Sequence, residues 1–350
     1  MIGAVADSLR NPDGTLASSD GGQALSVVGT NFVAGDPRTM ENPELTAVVT
    51  LFMREHNYWV AQLKSASPGW TVDQYYHMAK AITTAEYQNI VYGEFLPMLV
   101  GPMRPYDGYD PEVKAQVTQE FSSAAFRVGH SQVSDTQEGL DNNGNVVFTE
   151  ALAQAFFNTA QTDMAHGLNN SLRSIGNDSA QATDVYVVAA LRNLLFAPLP
   201  GGDVDQIDLI AIDIQRERDV GLGTLNQTRR AMGFQPYLSF ADLAMDPALQ
   251  SNLATVYGSI DNVDLFMGGL AETHAPGALV GPTFQAIIAR QFYALRTGDR
   301  FFWLNEGFDS DTANMIRHTT LADLIRRNTD ANQMQDKVFI QANYPVQPAR

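Results

Sequence analysis

From Pro43 onward, apolar residues recur at helical spacing. Leu45, Val48, Val49, Phe52 and Met53 set the phase, and the run continues to Leu63 before Ser67-Pro68-Gly69 stops it. Thr71, with Gln74 three residues on, predicts a capping box opening a helix from Val72 to Phe95. Asp110-Pro111-Glu112 sets an N-cap acid before a first-turn proline and predicts a helix running to about His130. Further helical patterns cover Phe148–Phe157 and Thr183–Phe196, the latter closed by Pro198 and Pro200. Two more are opened by Asp246-Pro247 and Gly281-Pro282, and the second of these, Phe284–Leu295, is strongly apolar and reads as central. Residues 1–40 read as a loop-rich lead-in. Residues 134–149 are a polar excursion that turns around Asp141-Asn142-Asn143-Gly144-Asn145. No repeat, low-complexity tail or linker divides the pattern. The expected fold class is therefore mainly α, a single domain over residues 1–350 with few or no strands.

Composition narrows the function classes. A chain of 350 residues with 45% hydrophobic positions can bury a substantial core. Its net charge of −17 works against phosphate backbones and anionic lipid, so no nucleic acid partner is expected; small neutral or cationic substrates and divalent cations are compatible. The absence of cysteine removes disulfides, thiolate iron ligands and zinc fingers, and fits a bacterial origin better than a mammalian secreted one. The longest apolar run, Val185–Leu191, is cut by Arg192 and Asn193, well short of the roughly 20 residues a membrane span needs. The start, Met1-Ile2-Gly3-Ala4-Val5-Ala6-Asp7, lacks the basic residue and apolar length of a signal peptide.

Candidate chemistry gathers in a few segments. Phe126-Arg127-Val128-Gly129-His130 ends one helical pattern, and Ile210-Ala211-Ile212-Asp213-Ile214-Gln215-Arg216 places an acid inside an apolar run. Upstream stand Ala34-Gly35-Asp36-Pro37-Arg38, then Glu41, then Leu51-Phe52-Met53-Arg54-Glu55-His56-Asn57. A histidine ending a helix ordinarily serves the C-terminal dipole, and an exposed arginine ordinarily makes a surface ion pair. An unpaired acid among apolar residues is costly, so Asp213 calls for a partner. With Tyr92–Pro97, Asp264–Gly269, Gly298–Trp303 and Asn343-Tyr344-Pro345 in the same order, the whole chain resembles the animal-type haem peroxidases, the superfamily of myeloperoxidase and lactoperoxidase, in a bacterial member.

That resemblance implies a haem b cofactor and a peroxidase reaction. Hydrogen peroxide would oxidise ferric haem to a ferryl species, and a small reducing substrate (halide, phenol or Mn(II)) would return it to rest. It assigns His130 as axial iron ligand, Asp213 as the anion accepting the ligand's other N–H, and Arg38 as the distal arginine that polarises peroxide. Arg127 and Arg216 would pair with the haem propionates, and Glu41 would form an ester with the haem. Asn42 stands where mammalian members carry a sulfonium-forming methionine, so that second link is not expected; Met40 is one residue out of register. Val220 departs from the histidine that relatives usually have in Arg-Asp-His-Gly. The small Gly129 would let the backbone approach a flat macrocycle. A secreted or extracellular setting also follows from the resemblance alone.

The resemblance also marks a gap. No histidine precedes His56, whereas the family carries its distal histidine, a second ester-forming aspartate and a calcium loop upstream of the distal arginine. The expectation is a C-terminal portion of a peroxidase whose site an N-terminal chain or segment completes. General acid–base help of that kind is worth roughly 100- to 10,000-fold. The rival reading, from another class, is a haem-binding or structural helical protein of the same fold without peroxidase turnover. A fatty-acid oxygenase of the superfamily would need a radical tyrosine, and Tyr75, Tyr76, Tyr87 and Tyr92 cannot be ranked by sequence. A di-iron site fails because no Glu-x-x-His occurs beside Glu55-His56 or Glu86, and an EF-hand at Asp141 fails because position six is Val146. His77, His166, His274 and His318 lack partners at ligand spacing.

Overall fold

A computed structural model describes residues 9–29, 31–158, 167–193, 208–331 and 334–341. It divides into two compact units: Met1–Glu94, Thr136–Ser179 and Glu306–Arg350 form the first, and Phe95–Asp135 with Ala180–Asn305 the second. The chain is mainly helical, with two small antiparallel sheets among the described residues.

In the first unit the Pro43–Ala66 helix packs on Val72–Ile90, Leu168–Ile175 and Leu321–Asn328. Asn42 caps its start by accepting the Leu45 N–H at 2.8 Å, with Pro43 at the first helical position, where its missing N–H costs nothing. Leu51, Met53, Ile90, Leu172, Leu324 and Ile325 form the core between these helices. The expected capping box is present: the Thr71 N–H donates to Gln74 Oε1 at 2.8 Å and the Gln74 N–H to Thr71 Oγ1 at 3.3 Å. Beyond Ile90 the backbone widens into a π-helical turn, Val91–Phe95, and resumes as Leu96–Val100.

The polar stretch Arg54-Glu55-His56-Asn57 is scaffold in this unit. Arg54 donates to the Gln23 and Asn328 carbonyls and to Asn169 Oδ1, and Asn57 bonds both backbone groups of Leu16. Glu55 accepts from Arg327 and Asn328, each at 2.5 Å, and Arg327 also reaches Glu86 at 3.1 Å. His56 is buried, and desolvation pushes its imidazole below its ordinary value.

Four local expectations need correction. Residues 1–40 are not all loop: Ser18–Ser19, Ala24–Val28 and Asn31–Val33 make a three-stranded sheet, while residues 1–8 lie outside those described. Val146–Ala151 is a strand rather than helix, paired with Thr136–Leu140, and Leu152–Ala155 is a single helical turn. The pairing wins because Phe148 alone of its strand is buried, and it lies over Gly139, where a Cβ would collide with its ring. Asp110 opens only a turn. Its side chain accepts the Glu112 N–H, but the helical structure begins afresh at Thr118, giving Gln119–Ser123 and then a 3-10 segment, Ala125–Gln132. Finally, residues 183–188 are not helical, and helix covers Ala189–Asn193, with 194–207 outside the described residues. Here Ser131 Oγ bonds the Ala182 carbonyl and the Asp184 N–H, and the Thr183 carbonyl is held by His274, so tertiary partners take the groups a helix would have used.

In the second unit Pro282–Thr297 packs on Leu96–Val100, Gln119–Ser123 and Ala125–Gln132, as its apolar pattern predicts for a central helix. Leu209–Asp219 packs on Leu265–Ala271, Ala189–Asn193 and Gln119–Ser123. Gly268 and Gly269 explain the Asp264–Gly269 segment: a Cβ on Gly269 would enter the Phe284 ring, and one on Gly268 would crowd Leu225. No helix among the described residues is long and apolar enough to cross a membrane.

Candidate haem site

His130 sits in the last turn of the Ala125–Gln132 segment. Ala125 and Val128 bury one side of that segment, and Phe126 stacks on Phe121 at 4.5 Å and meets Phe292 edge-on at 5.4 Å. This packing fixes the backbone that presents His130. The His130 Nδ1–Asp213 Oδ2 distance is 2.5 Å. Asp213 lies on Leu209–Asp219, which Asp208 caps by accepting the Ile210 and Ala211 N–H groups.

The Asp213 side chain is fully buried, whereas the His130 ring keeps 30% of its surface exposed. The second Asp213 oxygen accepts from the Arg127 guanidinium, which also donates to the Ser122 carbonyl at 3.1 Å. Both carboxylate oxygens are thus engaged, so the burial cost is offset by two charge-assisted partners. Nδ1 is committed to Asp213 as donor, and Nε2 has no hydrogen-bond partner among the described residues. Such a ring is oriented from behind by a carboxylate and leaves Nε2 unengaged, an arrangement suited to a metal ligand. A Cβ built on Gly129 meets no protein atom within 4 Å, so the backbone beside the ring borders open space. An unpartnered ring nitrogen, a carboxylate behind it and an open face fit a haem. Among the described residues no cluster of three or more His, Cys, Asp or Glu could hold a metal ion by side chains alone.

Of the residues singled out in the sequence, Arg127, His130 and Asp213 come together. Arg216 is on the same helix as Asp213, exposed, and its guanidinium has no ion-pair partner among the described residues. Val220 caps that helix and is 37% exposed. Arg38 and Glu41 belong to the first unit, on and just after the 3-10 turn Pro37–Met40. Arg38 is 74% exposed and forms a forked pair with Asp36, Nε to Oδ1 at 3.0 Å and Nη2 to Oδ2 at 2.6 Å. Hydrogen bonds from Arg38 hold the Asp36 carboxyl down at about 2. Asp36 in turn pushes the guanidinium up, with a smaller contribution from the charge of Glu41. Of the other histidines, His274 bonds the Thr183 carbonyl and His318 the Asn314 carbonyl; His166 and Asn343-Tyr344-Pro345 lie outside the described residues.

One buried group went unremarked in the sequence. Glu217 follows Asp213 by one helical turn, is itself buried, and accepts the Phe266 N–H at 2.9 Å. The signal was available as two acids four apart, the spacing that puts both on one helix face.

The sequence profile of the animal haem peroxidases matches residues 6–339. The chain belongs to the animal haem peroxidase family. It is 33% identical over 314 residues to peroxinectin A of Dictyostelium discoideum, covering 88% of this chain and 57% of that protein. Human eosinophil peroxidase is 32% identical over 329 residues, covering 90% and 46%. Pig thyroid peroxidase is 34% identical over 307 residues, covering 82% and 32%. The chain therefore spans about half the length, or less, of these curated relatives. Among solved structures, peroxidase A of D. discoideum superposes with a TM-score of 0.85 at 30% identity, over 96% of this chain and 68% of the other. A fatty acid alpha-dioxygenase of Oryza sativa shares the fold, with a TM-score of 0.83 at 20% identity, over 97% and 65%.

Proposed function

We propose that the chain is the haem-holding part of a peroxidase that uses hydrogen peroxide to oxidise a small reducing substrate. The observation that carries this reading is the His130–Asp213 pair, with Nδ1 engaged and Nε2 without a partner. The family profile running through both units, residues 6–339, supports treating 1–350 as one haem-peroxidase-like domain.

When bound, the haem supplies the redox chemistry that splits peroxide and draws electrons from the donor. The chain's own residues do the rest. His130 would hold the haem iron. Asp213 accepts a hydrogen bond from the His130 Nδ1–H, which would give the ring imidazolate character and make it a stronger donor to the iron. Arg127, on the second oxygen of Asp213, keeps that side chain oriented. Arg216, exposed and without a partner among the described residues, is the free cation for a propionate; Arg127 would share its guanidinium between Asp213 and the other. Arg38 supplies a permanently charged, multi-donor group for a peroxide oxygen, and Glu41 the carboxylate for an ester to the haem. We assign halide, phenol or Mn(II) as the donor class and a secreted setting, both on the resemblance.

Titrating the purified chain with ferric haem, then with peroxide and a phenolic donor, tests the proposal. Saturable binding with a histidine-ligated spectrum, lost in His130→Ala, and peroxide-dependent oxidation of the donor are expected. An unchanged spectrum in His130→Ala would remove the axial assignment. Saturable binding without donor oxidation would select a haem-binding protein lacking turnover.

A further inference from the structure

Among the described residues, the other fully buried glutamates face a cation. Glu272 accepts from Arg229, Tyr237 and Thr283, and Glu55 and Glu86 share Arg327. Glu217 does not. One of its oxygens accepts the Phe266 N–H, and the other is buried with no partner among the described residues. Its neighbour in sequence, Arg218, is turned to Asp264, with Nε to Oδ1 at 3.1 Å and Nη2 to Oδ2 at 2.5 Å, and Asp264 also accepts from the Tyr257 hydroxyl.

The charges around Glu217 are mostly of its own sign. Asp213 lies one turn earlier on the same helix, and Asp264 stands at the start of the Leu265–Ala271 helix packed against it. Arg218 is the nearby cation, already engaged. Arg127 and His130 approach from the Ala125–Gln132 segment but are both bonded to Asp213. From the other packed elements, Glu120 is a further acid, and Arg192 makes no ion pair with Glu217 among the described residues. A desolvated carboxyl without a cation, one turn from the already paired Asp213, keeps its proton.

We propose that Glu217 is a proton-bearing carboxyl beneath the His130–Asp213 pair, a positioning residue that sets how strongly Asp213 draws the Nδ1 proton of His130. While Glu217 is neutral, it adds no charge beside Asp213. Loss of the Glu217 proton places a second anion about 5–6 Å away, the spacing of i and i+4 residues. The second charge makes Asp213 more basic and the ring more imidazolate-like. Burial, reinforced by Asp264 and Asp213, raises the Glu217 carboxyl to about 8, so this change would fall in the mildly alkaline range.

The proton on Glu217 can be tested without haem; only its effect on iron rests on the function proposed above. Infrared difference spectra of the full chain should show protonated-carboxyl absorption at pH 7 that is lost with a midpoint near pH 8; Glu217→Gln should remove one component of it and leave the Glu86 component, which Glu86→Gln removes in turn. Histidine-labelled protein, with His130 assigned by its loss in His130→Ala, should show a step in the ring nitrogen shift at the same pH, and Glu217→Gln should abolish it. The amide retains an acceptor for the Phe266 N–H, so it separates the proton from the structural bond, which Glu217→Ala removes. A carboxyl absorption undiminished in Glu217→Gln, or a His130 step that survives there, overturns the proposal, as does a His130 shift indifferent to pH near 8. In the haem-loaded chain the ferric/ferrous potential should fall across the same step in the wild type and run flat there in Glu217→Gln. If His130→Ala keeps its haem spectrum while the carboxyl band behaves as expected, the function fails and Glu217 stands.

Discussion

Asp213 accepts from Arg127 and His130 at once, and those two contacts make different predictions. Asp213→Asn keeps the shape and loses the charge, so the ring becomes less basic and the iron's reduction potential should rise; a spectroelectrochemical titration that finds no change would remove Asp213 from behind the ligand. Arg127→Ala leaves a buried carboxylate oxygen without its cation. Truncating one partner of such a pair costs about 3–5 kcal/mol, to be read as a lowered urea midpoint. If Arg127 serves only a propionate, the haem-free chain should lose almost no stability. The sequence marked His130, Asp213 and Arg127 as a group, because the same short segments carry them. It did not show that Arg127 bonds Asp213, since an arginine side chain reaches several partners and only the fold chooses among them. Glu217 stayed unnoticed because an acid next to two arginines, Arg216 and Arg218, looks paired in sequence; in the structure Arg218 turns to Asp264 instead.

Elements with their signals inside the segment were legible. Thr71 and Gln74 form the predicted box, and Asn42-Pro43, Asp246-Pro247 and Gly281-Pro282 each open a helix. Thr71→Ala should cost about 1 kcal/mol by removing one cap acceptor, measurable by thermal or urea unfolding. Gly269→Ala should cost more, about 1–3 kcal/mol, because the added methyl enters the Phe284 ring where Leu265–Ala271 meets Pro282–Thr297. A neutral Gly269→Ala would mean that these helices do not pack so closely. Elements decided by distant partners were misread. Val146–Ala151 is apolar enough for either state, and the strand forms because Thr136–Leu140 lies across from it. Residues 183–188 have a helical pattern, yet their backbone is spent on Ser131 and His274.

For the whole chain, buried acids set the response to pH. Burial, with the neighbouring charge of Glu55, lifts Glu86 to about 8, and burial lifts Glu217 to about 8. Their folded values lie above the ordinary carboxylate value, so the folded chain holds protons that the unfolded chain has released. Their contribution is complete below pH 4.5 and is lost as pH rises to about 8, with a limiting slope near 1.36 kcal/mol per pH unit for each group. Asp13 works in the opposite sense: its bond from Thr15 holds it at about 2, and that contribution is lost as pH falls toward 2. Stability should therefore peak at roughly pH 4–5 and decline toward pH 8. The decline should persist in 0.5 M salt, which screens the surface share of the −17 charge but not buried groups, and should be shallower in Glu86→Gln. The sequence by itself determined the helical class, the helix starts at Pro43, Val72, Pro247 and Pro282, and the family segments that carry His130 and Asp213, because those signals lie within a few residues of one another or in segments of fixed order. Only the tertiary structure decided which carboxyls lose their water, which arginine reaches which acid, and which apolar runs become strand. Desolvation and partner choice depend on residues far away in sequence, and no local pattern encodes them.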